Sequence, residues 1–146
     1  MTYLLDVNLL ISLFDQKHQH HEAAHRWFER TGRGSWATCP ITQNGFVRIV
    51  SNPVYASLKA TPEEAVEFLA YMCSAQEHVF WPDVVSIVDQ SHFVRSSLKS
   101  HSQVTDLYLV SLAVFYGGRL ATLDGRIKMR EESGASHEFV ELVPFR

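Results

Sequence analysis

Tyr3-Leu4-Leu5-Asp6-Val7-Asn8-Leu9-Leu10 opens on a short apolar run and meets an acid directly after it. Runs of this length bounded by polar or turn residues read as buried strands. Val79-Phe80-Trp81 and Leu120-Ala121-Thr122-Leu123 have the same form, closed by acids, Pro or Gly. Helical patterns lie between them. Residues 20–30 set Ala23, Ala24, Trp27 and Phe28 on one face, and Thr61-Pro62-Glu63-Glu64 opens a helix that runs through Met72, with Pro62 and the acids in its first turn. A third helix runs from Asp106 through Phe115 until Gly117-Gly118 stops it, and Phe139-Val140-Glu141-Leu142-Val143 reads as a last edge strand. Strands alternating with helices of this length imply βαβ units and an α/β fold with a mainly parallel sheet.

At 146 residues the chain has the size of one globular domain, residues 1–146, and can bury a core without disulfide or metal staples. Apolar residues make up 46% and charged residues 20%, and no apolar run is long enough to span a bilayer. The amino end has no basic segment before its apolar stretch, which argues against a secretory signal and for the cytoplasm. Cys39 and Cys73 stand far apart, without the spacing of a zinc knuckle, and read as reduced buried thiols. With a net charge of −3 the chain lacks a global basic footprint, so any contact with nucleic acid is local. No repeat, low-complexity tract or long linker divides it, and Gly32-Arg33-Gly34 reads as a turn.

Open α/β sheets bind ligands beyond the carboxyl ends of their strands, so acids placed just after strands come first. Asp6, Asp83 and Asp124 qualify, and Asp106 falls at the amino end of the third helix. Helix capping explains any one of them alone. Several carboxylates at one sheet edge are another matter, because they repel unless a cation neutralises them or some take up protons. Hard oxygen ligands without Cys suit Mg²⁺ or Mn²⁺, and Mg²⁺ commonly takes only one or two protein carboxylates and keeps several waters. Such an ion activates water and stabilises a departing oxygen at phosphorus, so phosphodiester hydrolysis is the matching reaction.

Four segments together resemble the PIN domain of the VapC toxin type: Tyr3 to Leu10, then Thr42-Gln43-Asn44-Gly45-Phe46-Val47-Arg48, then Val104-Thr105-Asp106-Leu107-Tyr108-Leu109, and finally Ala121-Thr122-Leu123-Asp124. The match covers nearly the whole chain in order and spacing. The resemblance implies a three-layer α/β/α fold, a Mg²⁺ or Mn²⁺ site on acids, and endonucleolytic cutting of RNA by a toxin. It also implies a small antitoxin partner and a homodimer. By position, the metal acids fall on Asp6 and Asp106, the late supporting acid on Asp124, and the polar residues that orient the site on Asn8 and Thr122.

One departure concerns the middle motif, where such proteins commonly carry Glu and this chain has Gly45. Glycine has no side chain with which to ligate. A site with fewer acids and more water still suits a lone Mg²⁺; Gln43 is a second source of oxygen; and a catalytically silent module that binds RNA or protein is the alternative reading.

His21-Glu22-Ala23-Ala24-His25 satisfies the zinc-protease pattern, in which two histidines one helical turn apart bind Zn²⁺ and the Glu acts as base. A metalloprotease is therefore a remote alternative, opposed by the shortness of the helix and by Trp27 and Phe28 as its core anchors. His101 lies five residues before Asp106, within range of a phosphate contact. Arg48 and Arg126, and after them Lys128 and Arg130, are the cations placed to meet an RNA backbone.

Overall fold

Strand β1 (Tyr3–Leu5) lies at the middle of a five-stranded sheet, between β2 (Trp36–Thr38) and β4 (Arg119–Thr122), with β3 (His78–Phe80) and β5 (Val140–Leu142) on the flanks. The computed structural model describes every residue except 56, 90–97, 130–136 and 146, and gives no side-chain placement at 128, 129 and 137. All four pairings in the order β3-β2-β1-β4-β5 are parallel, with Tyr3 in register with Trp36 on one side and Arg119 on the other. Among the described residues six α-helices accompany the sheet: α1 (Val7–Phe14), α2 (His21–Arg30), α3 (Pro40–Val50), α4 (Pro62–Cys73), α5 (Val104–Phe115) and α6 (Gly125–Met129).

Alternation along the strands builds two cores, one on each face, because successive side chains in a strand point to opposite sides. Leu4, Ala37 and Leu120 join one cluster with Leu107 and Leu112 of α5; their strand neighbours Leu5, Trp36 and Ala121 join the other with Leu9, Leu10, Ala24, Trp27, Phe46 and Leu69 of α1 to α4. The result is a three-layer α/β/α fold. Leu4 and Leu5 are both fully buried, so truncating either to Ala costs about 2–5 kcal/mol.

Local signals end the helices as well as start them. At α4 the Thr61 hydroxyl accepts from the Glu64 N–H at 3.1 Å and the Glu64 carboxylate accepts from the Thr61 N–H at 3.3 Å, a reciprocal cap with Pro62 behind it. At α5 the Gly118 N–H donates to the Ala113 carbonyl at 2.8 Å and the Gly117 N–H to the Val114 carbonyl at 3.0 Å, with Gly117 at φ 72°. That is a Schellman stop, which turns the chain straight into β4.

Three elements go beyond the sequence reading. Trp36–Thr38 is a central strand, although three residues are too few to show a period; Val7–Phe14 and Pro40–Val50 are helices. Gly32–Gly34, read as a turn, is a short 3-10 turn into β2. Strands β3 and β4 each begin and end one residue earlier than the apolar runs suggested. Since the chain leaves β1 for β2 and β3 on one side and returns to β4 and β5 on the other, the order reverses between β1 and β4. A crevice at the carboxyl ends of those two strands is where such sheets bind ligands.

Candidate active site

Asp6 is the first residue past β1, and its backbone does two jobs. Its N–H donates to the Ala121 carbonyl at 2.9 Å, prolonging the β1–β4 ladder, and its carbonyl accepts from Leu9 and Leu10, both at 3.0 Å, which starts α1. The side chain is thereby aimed across the carboxyl edge of the sheet. Oδ1 accepts from the Val7 N–H at 2.8 Å and Oδ2 from the Thr122 hydroxyl at 2.7 Å.

Thr122 sits in a small lattice that leaves its hydroxyl one orientation. It accepts from Asn8 Nδ2 at 3.2 Å and from the Asp124 N–H at 3.0 Å, so its own proton goes to Asp6. Asn8 is held in turn, its Oδ1 accepting from the Leu123 N–H at 3.1 Å. Asn8 and Thr122 thus position Asp6.

Asp6 opens onto a cleft of about 660 Å³ shared with Asn8, Gly45, Arg48, Asp106 and Asp124. Asp106 reaches it from the first turn of α5, and Asp124 from the turn after β4. Burial pushes the Asp6 carboxyl up to about 6; the negative charges of Asp106 and Asp124 add to that, while the hydrogen bonds from Thr122 and Val7 oppose it. Asp6 is only 7% exposed. A carboxyl so placed gains from a cation in the cleft, and the donors are hard oxygens of the kind Mg²⁺ and Mn²⁺ prefer. Among the described residues no three His, Cys, Asp or Glu side chains close into a metal cage. The residues present therefore fit an open site on two carboxylates with room for water and substrate oxygens.

Asp124 is engaged by Arg126, which grips it with Nε at 3.0 Å and Nη2 at 2.9 Å and adds a backbone N–H at 2.9 Å. The Asp124 carboxylate in turn holds the exposed Arg126 guanidinium above its usual range. Arg48 differs. It is exposed, lines the cleft, and makes no ion pair among the described residues. Asn44 and Thr105 also line the cleft. Sequence reasoning passed over both, although each adjoins a residue it named.

Other sequence candidates lie elsewhere. Gln43 turns to β2, where its Nε2 donates to the Thr38 hydroxyl at 3.0 Å, and it does not line the cleft. A Cβ on Gly45 would stand 2.9 Å from Val7 Cγ2, so the place of a longer side chain is already taken by a methyl group. Asp83 sits beside Cys39 and the Ile41 N–H, and burial raises its carboxyl. His101 is exposed in a 3-10 turn before α5 and does not line the cleft. Lys128 has no described side chain, and Arg130 lies outside the described residues. His21 Nδ1 and His25 Nε2 meet the Ser12 and Leu13 carbonyls at 2.7 and 3.1 Å, at the far end of α1 from Asp6. They satisfy the carbonyls that a helix end leaves over, and with no third ligand among the described residues the zinc reading has no support.

Residues 3–132 match the family model of the PIN domain. This chain belongs to the PIN-domain family. Over 134 residues, 92% of this PIN domain and 96% of the relative, it is 45% identical to the Mycobacterium tuberculosis protein named Ribonuclease VapC39. It is 43% identical to Ribonuclease VapC44 over 138 residues (94% and 96% of the two chains) and 40% identical to Ribonuclease VapC29 over 124 (85% and 86%), both from the same organism. No helix among the described residues is long and apolar enough to cross a membrane.

Proposed function

We propose that this PIN domain, one domain over residues 1–146, is a VapC-type endoribonuclease, the toxin of a toxin–antitoxin pair, working in the cytoplasm with Mg²⁺ or, as a substitute, Mn²⁺. The observation that carries the reading is Asp6, a buried carboxyl raised to about 6 at the β1–β4 switch point, facing a cleft it shares with Asp106 and Asp124. Its 45% identity to a relative named as a ribonuclease supports the same reading.

In this reading Asp6 and Asp106 hold the ion, which supplies a Lewis acid that makes water more acidic and eases charge building on the phosphate. Thr122 fixes Asp6 through Oδ2, and Asn8 fixes Thr122. Asp124 adds negative field from the rim while Arg126 limits it. Arg48 meets a phosphate oxygen of the RNA, and Arg126 reaches the same backbone only by giving up Asp124. Water adds across one P–O bond, leaving one phosphate end and one hydroxyl end. A small antitoxin that covers the cleft and a second copy of the chain are the expected partners.

The test is cleavage of a mixed-sequence RNA by the purified protein with Mg²⁺ or Mn²⁺, alongside Asp6→Asn and Asp106→Asn. Loss of cleavage in both variants is expected; equal cutting by parent and variants sinks the assignment. Gly45 favours one other reading, a silent module that binds RNA or antitoxin without cutting, and parent protein that binds RNA but never cleaves it would establish that instead.

A further inference from the structure

The cleft does not end at Arg48. A second hollow of about 320 Å³ shares Arg48 and Ile49 with it and is walled beyond them by Asn52, Val54 and Tyr55. That volume is at the lower end of small-ligand pockets, roughly 300–1,000 Å³. Its wall is a shaped turn. The Tyr55 N–H donates to the Asn52 carbonyl at 2.8 Å and the Val54 N–H to Asn52 Oδ1 at 3.0 Å, with Pro53 between. These bonds hold an apolar side chain in water: Val54 is 87% exposed.

The turn is tied down from below. Asp15, at the end of α1 and 1% exposed, accepts from the Tyr55 hydroxyl at 2.7 Å, the Ser57 hydroxyl at 3.1 Å and the Lys17 N–H at 2.9 Å. Burial alone disfavours such a charge, and the three donors more than offset that cost, so the carboxylate anchors the turn. Here it fixes the tip that carries Val54.

We propose that this hollow is a second RNA subsite, holding one nucleotide of a single strand beyond the scissile phosphate, and that Asp15 is the positioning residue for its wall. The inference rests on the ribonuclease reading above. The chemistry of the groove favours a nucleotide. Arg48, shared by both hollows and without an ion pair among the described residues, suits a backbone phosphate; Ile49 and Val54 offer apolar contact to an unstacked base; Asn52 offers an amide to its edge. A duplex buries these base surfaces in its own stack, whereas a single strand presents them.

The experiment is anisotropy binding of a labelled 24-nucleotide mixed-sequence single-stranded RNA to the full chain. Val54→Glu places an anion against the strand and raises Kd by about tenfold or more. Val66→Glu, an exposed apolar position on α4, leaves Kd at the parent value. Asp15→Asn, measured well below its melting temperature, also raises Kd; a purely structural Asp15 lowers the melting temperature and leaves Kd alone. Unchanged Kd in Val54→Glu overturns the subsite, as does equal loss of affinity in Val66→Glu. If Val54→Glu binds RNA normally but fails to bind the antitoxin, the groove belongs to the protein partner and the proposal is overturned. Hydrolysis of bis-p-nitrophenyl phosphate by the parent, lost in Asp6→Asn, reports on the nuclease reading separately.

Discussion

Gly45 is the position at which this chain departs most from the acidic pattern, and its steric explanation is measurable. A Cβ there stands 2.9 Å from Val7 Cγ2, where carbon atoms prefer about 3.5–4.0 Å, so Val7 must yield by roughly half an ångström. Val7 is β-branched, at the first position of α1, and has one strongly preferred rotamer there. Moving it costs about 1–3 kcal/mol as overpacking does, while replacing a glycine inside α3 returns about 0.5–1 kcal/mol of helix propensity. Gly45→Gln is thus expected to destabilise the parent by about 0–2 kcal/mol but to stabilise the Val7→Ala background by about 0.5 kcal/mol, a favourable coupling of about 1 kcal/mol or more. Urea unfolding of the four proteins at pH 7 without divalent ions reads this directly. Gly45→Glu in the same background adds a carboxylate beside Asp6 and Asp106, so its apparent Mn²⁺ affinity rises about tenfold over the Gln form. Additive effects within about 0.3 kcal/mol refute the argument that Val7 excludes the side chain.

Other measurements follow from the same geometry. Without divalent ions Asp6→Asn is expected to be more stable than the parent at pH 8. A carboxyl raised to about 6 from an ordinary 3.8 costs the folded state up to about 3 kcal/mol once ionised, and that cost grows as pH rises from 3.8 through 6. Thermal melts at pH 8 and pH 3.5 check it, with the advantage gone at pH 3.5; a variant less stable than the parent at pH 8 contradicts it. Asp15 has the opposite sign. Burial opposes its charge, but Tyr55, the Lys17 N–H, Ser57 and His18 together lower its carboxyl, so its stabilisation is complete above the unfolded value near 4 and vanishes as pH falls through the lower folded one. Asp15→Asn should cost on the order of 2 kcal/mol at pH 7 and much less at pH 2.5, read as urea midpoints. Arg48→Ala should reduce the slope of log Kd for single-stranded RNA against log salt by about 0.7, the share of one phosphate contact, and an unchanged slope removes Arg48 from the RNA path.

Much of the site was legible because acids placed directly after apolar runs report the sheet edge without any knowledge of pairing. Asp6 and Asp124 sit at the ends of the two strands between which the order reverses. Asp83 obeys the same local rule after β3 and yet faces Cys39 and Ile41, because β3 is a flank strand three places from β4. Strand order is a long-range property, invisible in any local window. Trp36–Thr38 escaped notice for a related reason: three residues buried on both faces show neither alternation nor length. In sequence Arg126 reads as a cation placed to meet RNA, and only the turn after β4 folds its guanidinium back onto Asp124. The histidines of α2 show the converse, a motif complete in sequence whose side chains are spent on the carbonyls of α1.

Capping and ligation need not compete at Asp6. An ionised carboxylate offers about four lone-pair sites. The Val7 N–H takes one on Oδ1 and the Thr122 hydroxyl one on Oδ2, so each oxygen keeps a second direction, and the carboxyl lines the cleft shared with Asp106. The cap fixes the side-chain torsion that a ligand needs. The two hydrogen bonds lower the carboxyl, but burial and the neighbouring acids outweigh them and leave it at about 6. A residue that only capped α1 would sit in water at a helix amino end, where the helix dipole favours its charge. The burial of Asp6 and the approach of two further acids have no use for the cap, and they are what a cation in the cleft would offset.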